Sequence, residues 1–371
     1  MEQEMYQRLA KHLDNLPGGF PPTDSGVELR ILKKLFTPEE AELASYLTLV
    51  PEESRVVARR AGMPREETAQ RLDEMSKKGL IFKIRHETGP ARYCAVQYAV
   101  GIWDLQVNKL DVELIQYMNE YRPILSKQYW KFPQMRTIPI GRSVALEHVA
   151  LPYEIADELV KAQKKFSVGL CICCRERTMR GKSCGKPEER CLAFGELADY
   201  RIWNGMDRVI DLRETLEILK WADEAGLVLQ PGNAKNSLSM CLCCGHCCKV
   251  LKVYKRSPRP ATLVASPFHA AHNPETCQTC GTCVERCQME ALKLEDGAVR
   301  LDLDRCIGCG LCVSTCQTDS LHLVLKPESE QPQVPKDIID TWIRLGKARG
   351  KITTLGLITM MVKSKVDRIL A

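Results

Sequence analysis

The feature that most constrains this 371-residue chain is a duplicated cysteine pattern between Cys277 and Cys316. Cys277-x2-Cys280-x2-Cys283-x3-Cys287 recurs at an offset of 29 residues as Cys306-x2-Cys309-x2-Cys312-x3-Cys316. The halves, CQTCGTCVERCQMEALKL and CIGCGLCVSTCQTDSLHL, also align between the cysteines, so the segment is an internal duplication. Three thiols two residues apart let one tight loop wrap three corners of an iron–sulfur cube, while the fourth starts a helical turn. Zinc prefers two CxxC pairs, and a disulfide framework suits a small secreted domain, so neither explains the spacing as well. Between the halves, Leu292–Glu295 and Ala298–Leu303 flank Asp296-Gly297, which predicts a two-residue hairpin turn.

Over about residues 266–325 the chain resembles the bacterial-type 2[4Fe–4S] ferredoxin domain. In such domains the fourth cysteine of each half serves the other cube. The resemblance therefore implies one [4Fe–4S] cluster on Cys277, Cys280, Cys283 and Cys316, and a second on Cys306, Cys309, Cys312 and Cys287. Gly281, Gly308 and Gly310 are expected to leave room for backbone N–H groups to face cluster sulfurs. The family usually places proline after each fourth cysteine, where this chain has Gln288 and Gln317. Each glutamine restores a backbone donor and adds a polar side chain, so the expected clusters are less strongly reducing.

Eighteen of the nineteen cysteines fall in three groups, at 171–191, 241–248 and 277–316, with Cys94 alone. Clustering at ligand spacing predicts metal binding in a reducing cytosol, hence a cytoplasmic protein. The N-terminal stretch lacks an apolar leader core, and no apolar run approaches a membrane span. The net charge is +6, with five Lys/Arg and no acid in 249–260, against eight Asp/Glu and four Lys/Arg in 268–325. A solvated basic linker beside an acidic domain explains that contrast better than a nucleic-acid stripe.

The other two groups read Cys171-x-Cys173-Cys174-x9-Cys184-x6-Cys191 and Cys241-x-Cys243-Cys244-x2-Cys247-Cys248. They match neither a ferredoxin loop nor a standard zinc knuckle. Four thiolates from distant segments can still hold a cube, so the ten thiols are candidates for one or two further iron–sulfur clusters. A structural zinc and redox-active dithiol chemistry remain as alternatives. His246 is either a ligand or an exposed loop histidine. Cys243-Cys244-Gly245 is similar to the CCG motifs of heterodisulfide-reductase-type subunits, although the flanking spacing departs from them. Residues 161–190 hold nine Lys/Arg against three Asp/Glu, which favours thiolate and suits an acidic redox partner.

Towards the N-terminus, apolar spacing predicts helices, then two strands at Leu80–Arg85 and Arg92–Val100 separated by HETGPA. VARRAGMPREETAQRLDEMSKKGLI resembles the middle of a winged helix-turn-helix domain. Its basic residues Arg65, Arg71, Lys77 and Lys78 are matched by Glu66, Glu67, Asp73 and Glu74, which suits protein docking better than DNA reading. Further helices are expected over 101–166, with breaks at Pro123, Pro133, Pro139 and Pro152 and with Tyr129 and Trp130 as core or interface.

The expected architecture is α+β. It comprises an N-terminal helix and loop (1–26), a winged-helix-like domain (27–105), a largely helical cysteine-rich region (106–256), the two-cluster domain (257–325) and a helical tail (326–371). The order of parts resembles multidomain 4Fe–4S ferredoxin-type proteins. That resemblance implies an electron-transfer protein working with a partner oxidoreductase rather than a stand-alone enzyme; the small-molecule substrate is unknown. No phosphate-binding loop, dinucleotide fingerprint or nucleophile triad is present. The alternatives are a redox-sensing DNA-binding regulator, with nucleic acid as partner, and a reductase centred on residues 171–248.

Overall fold

The computed structural model describes residues 2–85, 88–129, 131–144 and 152–371. Its contacts define two units, Met1–Phe132 with Trp342–Ala371, and Pro133–Thr341.

In the first unit, helix α1 (Glu2–Asn15) buries Tyr6, Leu9 and Leu13, spaced three and four residues apart as one helical face requires. Helices α2 (Val27–Leu35) and α3 (Pro38–Ala44) follow. Thr37 and Glu40 form a reciprocal capping box at α3, with Pro38 in its first turn. Strand β1 (Glu52–Glu53) leads into α4 (Ser54–Ala61), which Gly62 closes at φ 68°, and α5 (Arg65–Lys78) buries Leu72 and Met75. Strands β2 (Phe82–Ile84) and β3 (Arg92–Cys94) complete an antiparallel sheet of order β1-β3-β2. The run expected to reach Val100 leaves the sheet after Cys94, which pairs with Phe82. Past Cys94 the chain turns to another partner, Ala95 N donating to the Thr48 carbonyl at 2.7 Å. His86 and Glu87 of the intervening loop, and Trp130, lie outside the described residues.

Helix α6 (Val112–Tyr129) runs through Pro123, where a break was expected. Proline withholds one N–H from the carbonyl four residues earlier. Leu114, Ile115, Met118, Tyr121 and Leu125 are nevertheless buried on both sides of it, and that burial holds the helix. The C-terminal helix of the same unit, Thr354–Leu370, packs on α4. Arg60 bridges Glu52 and Asp367 at 2.9 Å each, and Arg65 donates to the Ala371 carbonyl.

The second unit carries α7 (Ala156–Lys161), β4 (Phe166–Leu170), α8 (Ile172–Met179), β5 (Glu189–Phe194), α9 (Gly195–Trp203) and β6 (Asp207–Ile210). Then come α10 (Leu212–Glu224), β7 (Val228–Pro231), β8 (Ser239–Cys243) and α11 (Lys249–Arg256). The five strands form an antiparallel sheet of order β6-β4-β5-β8-β7. Helices still hold more of residues 106–256 than strands do, and what the expectation of a largely helical middle missed is this sheet. The strands are four to six residues long, and cysteine, serine, glycine and arginine interrupt their apolar positions, so the period-2 signal is faint. Asp211 caps helix α10, its Oδ1 accepting from Glu214 N at 2.7 Å, and Gly226 (φ 68°) follows the helix end.

The duplicated segment is framed by β9 (Phe268–His272), which pairs with β12 (Leu321–Leu325). Inside it lie α12 (Thr282–Arg286) and the hairpin β10 (Leu292–Glu295) and β11 (Ala298–Leu301). Asp296 and Gly297 both have positive φ, 49° and 72°, the double left-handed turn that the Asp-Gly pair predicts. Helix and strand together make the chain α+β. Among the described residues no helix is long and apolar enough to cross a membrane.

Candidate metal centres

The duplicated segment is a loop-rich frame in which Cys283, Cys306 and Cys312 are buried. Cys287, Cys306, Cys309 and Cys312 line one cavity, walled by Ala270, Leu292, Ile307 and Leu323. Cys283 is buried in one apolar cluster with Cys306 and Cys312, and Cys277, Cys287 and Cys316 pack against it. The cavity brings together the four thiols that the ferredoxin resemblance assigns to one cluster. Backbone donors point at the sulfurs: Ala270 N to Cys306 Sγ at 3.3 Å, Thr279 N to Cys277 Sγ at 3.4 Å, and Ala291 N to Cys287 Sγ at 3.2 Å. Among the described residues, no hydrogen bond joins any two of these eight thiols. A donor set that surrounds space, receives N–H groups and does not collapse on itself fits a bound iron–sulfur cluster.

The two groups differ in exposure. Cys280 is exposed, whereas Cys306 and Cys312 are buried. Burial pushes the Cys309 thiol up to about 12. Burial also acts to raise Cys316, but hydrogen bonds with Ser320 and Thr318 outweigh it and bring the thiol down to about 7. Gln288, expected beside a cluster, turns its side chain elsewhere: Oε1 accepts from Gly245 N at 2.7 Å. Gln317 is exposed.

The ten remaining clustered cysteines gather on and around the five-stranded sheet. Successive strand residues face opposite sides. Leu192, Met240 and Leu242 pack in one apolar core with Cys174, Cys244 and Cys247. Cys191, Cys241 and Cys243 therefore face the other side, with Cys191 and Cys241 in cross-strand register. There the thiols run in a connected series: Cys241 reaches Cys191 and Cys243, and Cys248 reaches Cys243 and Cys173. Arg201 donates to Cys191 Sγ at 3.6 Å and pairs with Asp207 at 2.8 Å. Cys171 touches both Cys173 and Cys174, where the two sets meet.

On the core side, Cys174, Cys184 and Cys244 surround the buried guanidinium of Arg190. Arg190 Nε donates to Cys174 Sγ at 3.0 Å, and Nη2 lies 3.6 Å from Cys184 Sγ and 3.5 Å from Cys244 Sγ. Hydrogen bonding with Cys171, then with Arg190, outweighs burial and brings Cys174 down to about 7. His246 stands beside Cys184 and Cys247. Its Nε2 lies 3.1 Å from Arg177 Nη2, which can only donate, so Nδ1 carries the proton and faces Cys247 Sγ at 3.5 Å. Of the ten, sequence spacing gave neither the division by sheet face nor the two arginines. Arg190 and Cys191 are adjacent in sequence, and only the strand separates their directions.

Against known families, residues 261–321 match the 4Fe-4S dicluster domain. No curated protein and no solved structure matches the chain. The match and the clustered cysteines define an iron–sulfur protein with a dicluster segment, one part of a longer chain.

Proposed function

We propose that the protein relays single electrons through two [4Fe–4S] clusters to or from a partner oxidoreductase. Cys277, Cys280, Cys283 and Cys316 hold one, and Cys287, Cys306, Cys309 and Cys312 the other. The observation that carries this reading is the cavity lined by Cys287, Cys306, Cys309 and Cys312 inside the segment matched to the dicluster domain. When bound, such clusters supply one-electron carriers whose potential follows hydrogen bonding and solvent exposure. The chain's own residues supply ligands, apolar walls from Leu292, Ile307 and Leu323, and N–H donors from Ala270 and Ala291. Exposure of Cys280 makes its group the side at which a partner approaches.

The test is anaerobic iron and sulfide quantitation with EPR of the reduced protein. Cys309→Ala is expected to remove about four iron and four sulfide per chain relative to wild type. Protein that contains no iron when made without oxygen overturns the reading.

We read the first unit, in which α3, β1, α4, α5, β2 and β3 follow one another, as a winged-helix-like protein-docking module. What favours this over DNA binding is local neutralisation of α5. Arg71 pairs with Glu67 at 2.9 Å, Lys78 with Glu40 at 2.6 Å, and Arg65 binds the Ala371 carbonyl. Salt-dependent, sequence-specific gel shifts by the holoprotein support the regulator instead.

A further inference from the structure

The helix Thr354–Leu370 turns polar groups towards the protein and an apolar face away from it. On the inner side Ser364, 3% exposed, donates from Oγ to Glu52 Oε1 at 2.7 Å, and Asp367 pairs with Arg60 at 2.9 Å. Leu357 and Met360 are half-buried on that side. On the outer side Leu355, Ile358, Val362, Val366 and Ile369, spaced three and four residues apart, are between 46% and 75% exposed. We propose that this outer face seats the protein on an anionic lipid surface, with the helix lying in the plane of the headgroups. The proposal goes beyond electron transfer and stands whether or not the clusters exchange electrons.

Three observations carry it. The first is the extent of the face. Soluble proteins expose apolar residues singly, whereas a contiguous stripe marks a surface that something covers. Met361 and Leu370, also exposed, widen the stripe to about half of the helix circumference. A groove in a partner protein takes a narrower line of anchors, and a flat interface accepts the whole half-cylinder. No helix among the described residues is long and apolar enough to cross a membrane, so this one lies on the surface rather than through it.

The second is charge. Lys363, Lys365 and Arg368 are exposed, and the one acid of the helix, Asp367, is turned inward to Arg60 and Arg59. Lys363 and Arg368 border the apolar arc on either side, so their stems extend along it while the charges reach headgroup level. Anionic headgroups complement that arrangement. A second copy set face to face would bring two sets of these cations together without a carboxylate between them.

The third is preorganisation. Arg55 Nη1 donates to the Arg368 carbonyl at 3.0 Å, Arg368 Nη2 donates to the Pro51 carbonyl at 3.3 Å, and Arg65 bonds the Ala371 carbonyl. The helix is thus fixed with its apolar face outward, and binding needs no coil-to-helix ordering.

The experiment is co-sedimentation of the full chain, purified without oxygen, with vesicles of equal parts phosphatidylglycerol and phosphatidylcholine, beside vesicles of phosphatidylcholine alone. Wild type is expected to pellet with the anionic vesicles, to be released as salt is raised, and to stay in solution with the neutral ones. Ile358→Glu combined with Val362→Glu should weaken binding about tenfold or more, with iron content unchanged. Lys363→Glu combined with Lys365→Glu should abolish the preference for anionic vesicles. If the first variant does not fold, the lysine variant, which alters only exposed polar positions, carries the test. Wild type that does not pellet, or that binds both kinds of vesicle equally, overturns the proposal. So does binding that neither variant changes. A dimer that dissociates in Ile358→Glu with Val362→Glu, without vesicle binding by wild type, assigns the face to a second copy and overturns it as well.

Discussion

Gly281 and Gly308 lie in the two cysteine loops of the duplication, Gly308 opposite Thr279 rather than Gly281, and sequence reading gives both glycines one role. Their surroundings differ. Both have left-handed backbones, at φ 79° and 67°, so alanine at either is strained by about 1–2 kcal/mol. A Cβ on Gly281 enters open space, whereas one on Gly308 falls 2.2 Å from the Phe268 carbonyl oxygen. Gly308→Ala must therefore displace the start of β9, whose Ala270 N–H reaches Cys306. We expect Gly308→Ala to lower both the anaerobic melting temperature and the iron content. Gly281→Ala should lower the melting temperature only slightly and keep its iron. Equal losses in the two variants count against the steric account. The repeat alone did not mark Gly308, since its counterpart Thr279 adopts the same left-handed backbone at φ 52°, and the wall behind Gly308 was not legible because Phe268 lies outside the duplicated segment.

At the scale of elements, local signals were legible wherever a short-range bond defines them. The Asp296-Gly297 hairpin and the Asp211 cap depend on residues within four positions of each other. The five-stranded sheet depends on pairing over long separations, such as Ala193 with Ser239, and its strands carry ligands where an apolar pattern would have marked them. Helix α1 shows the same limit. Its apolar face was readable, but not that Asp14 receives Lys351 at 2.6 Å and Arg349 at 2.9 Å. Burial acts to raise the Asp14 carboxyl, yet hydrogen bonds from Lys351 and Phe20 N and the charges of Lys351 and Arg349 hold it below the ordinary value. A depressed folded pKa gives stability that is present above the unfolded value of about 3.9 and lost as pH falls through the folded one. Asp14→Asn should therefore destabilise the protein by about 1–2 kcal/mol at neutral pH. The gap from wild type should narrow as pH drops below about 4. Denaturant melts of the pair across pH check this; a gap that does not change with pH refutes the ion-pair account.

At the scale of the second unit, the question is how two cysteine-bearing parts are held in register. One buried carboxylate, Asp223 at the end of α10, gathers groups from three segments. Ser314 Oγ donates to it at 2.8 Å, Arg286 Nη2 lies 3.6 Å away, and Arg142 pairs with it directly. Arg286 also donates to the Asp223 and Glu224 carbonyls at 2.5 and 3.1 Å and to the Leu311 carbonyl at 3.0 Å, tying α12 to the second cysteine loop and to α10. Gln288, next to Cys287, adds its bond to Gly245 between Cys244 and Cys247. None of this is visible in the motifs, since Asp223 reads as an ordinary polar position near a helix end. Because Asp223 is 2% exposed, removing its carboxylate leaves the part-buried Arg286 and the Ser314 hydroxyl without their partner, a change that costs about 1–3 kcal/mol. Asp223→Ala should therefore loosen the dicluster segment from the sheet while each remains folded. Hydrogen exchange on the anaerobic protein reads this directly: amides of 212–226 and 282–316 should lose protection together, while those of β4 and β5 keep theirs. If protection falls at α10 alone, Asp223 serves only its own helix, and the two cysteine-bearing parts are joined by other contacts.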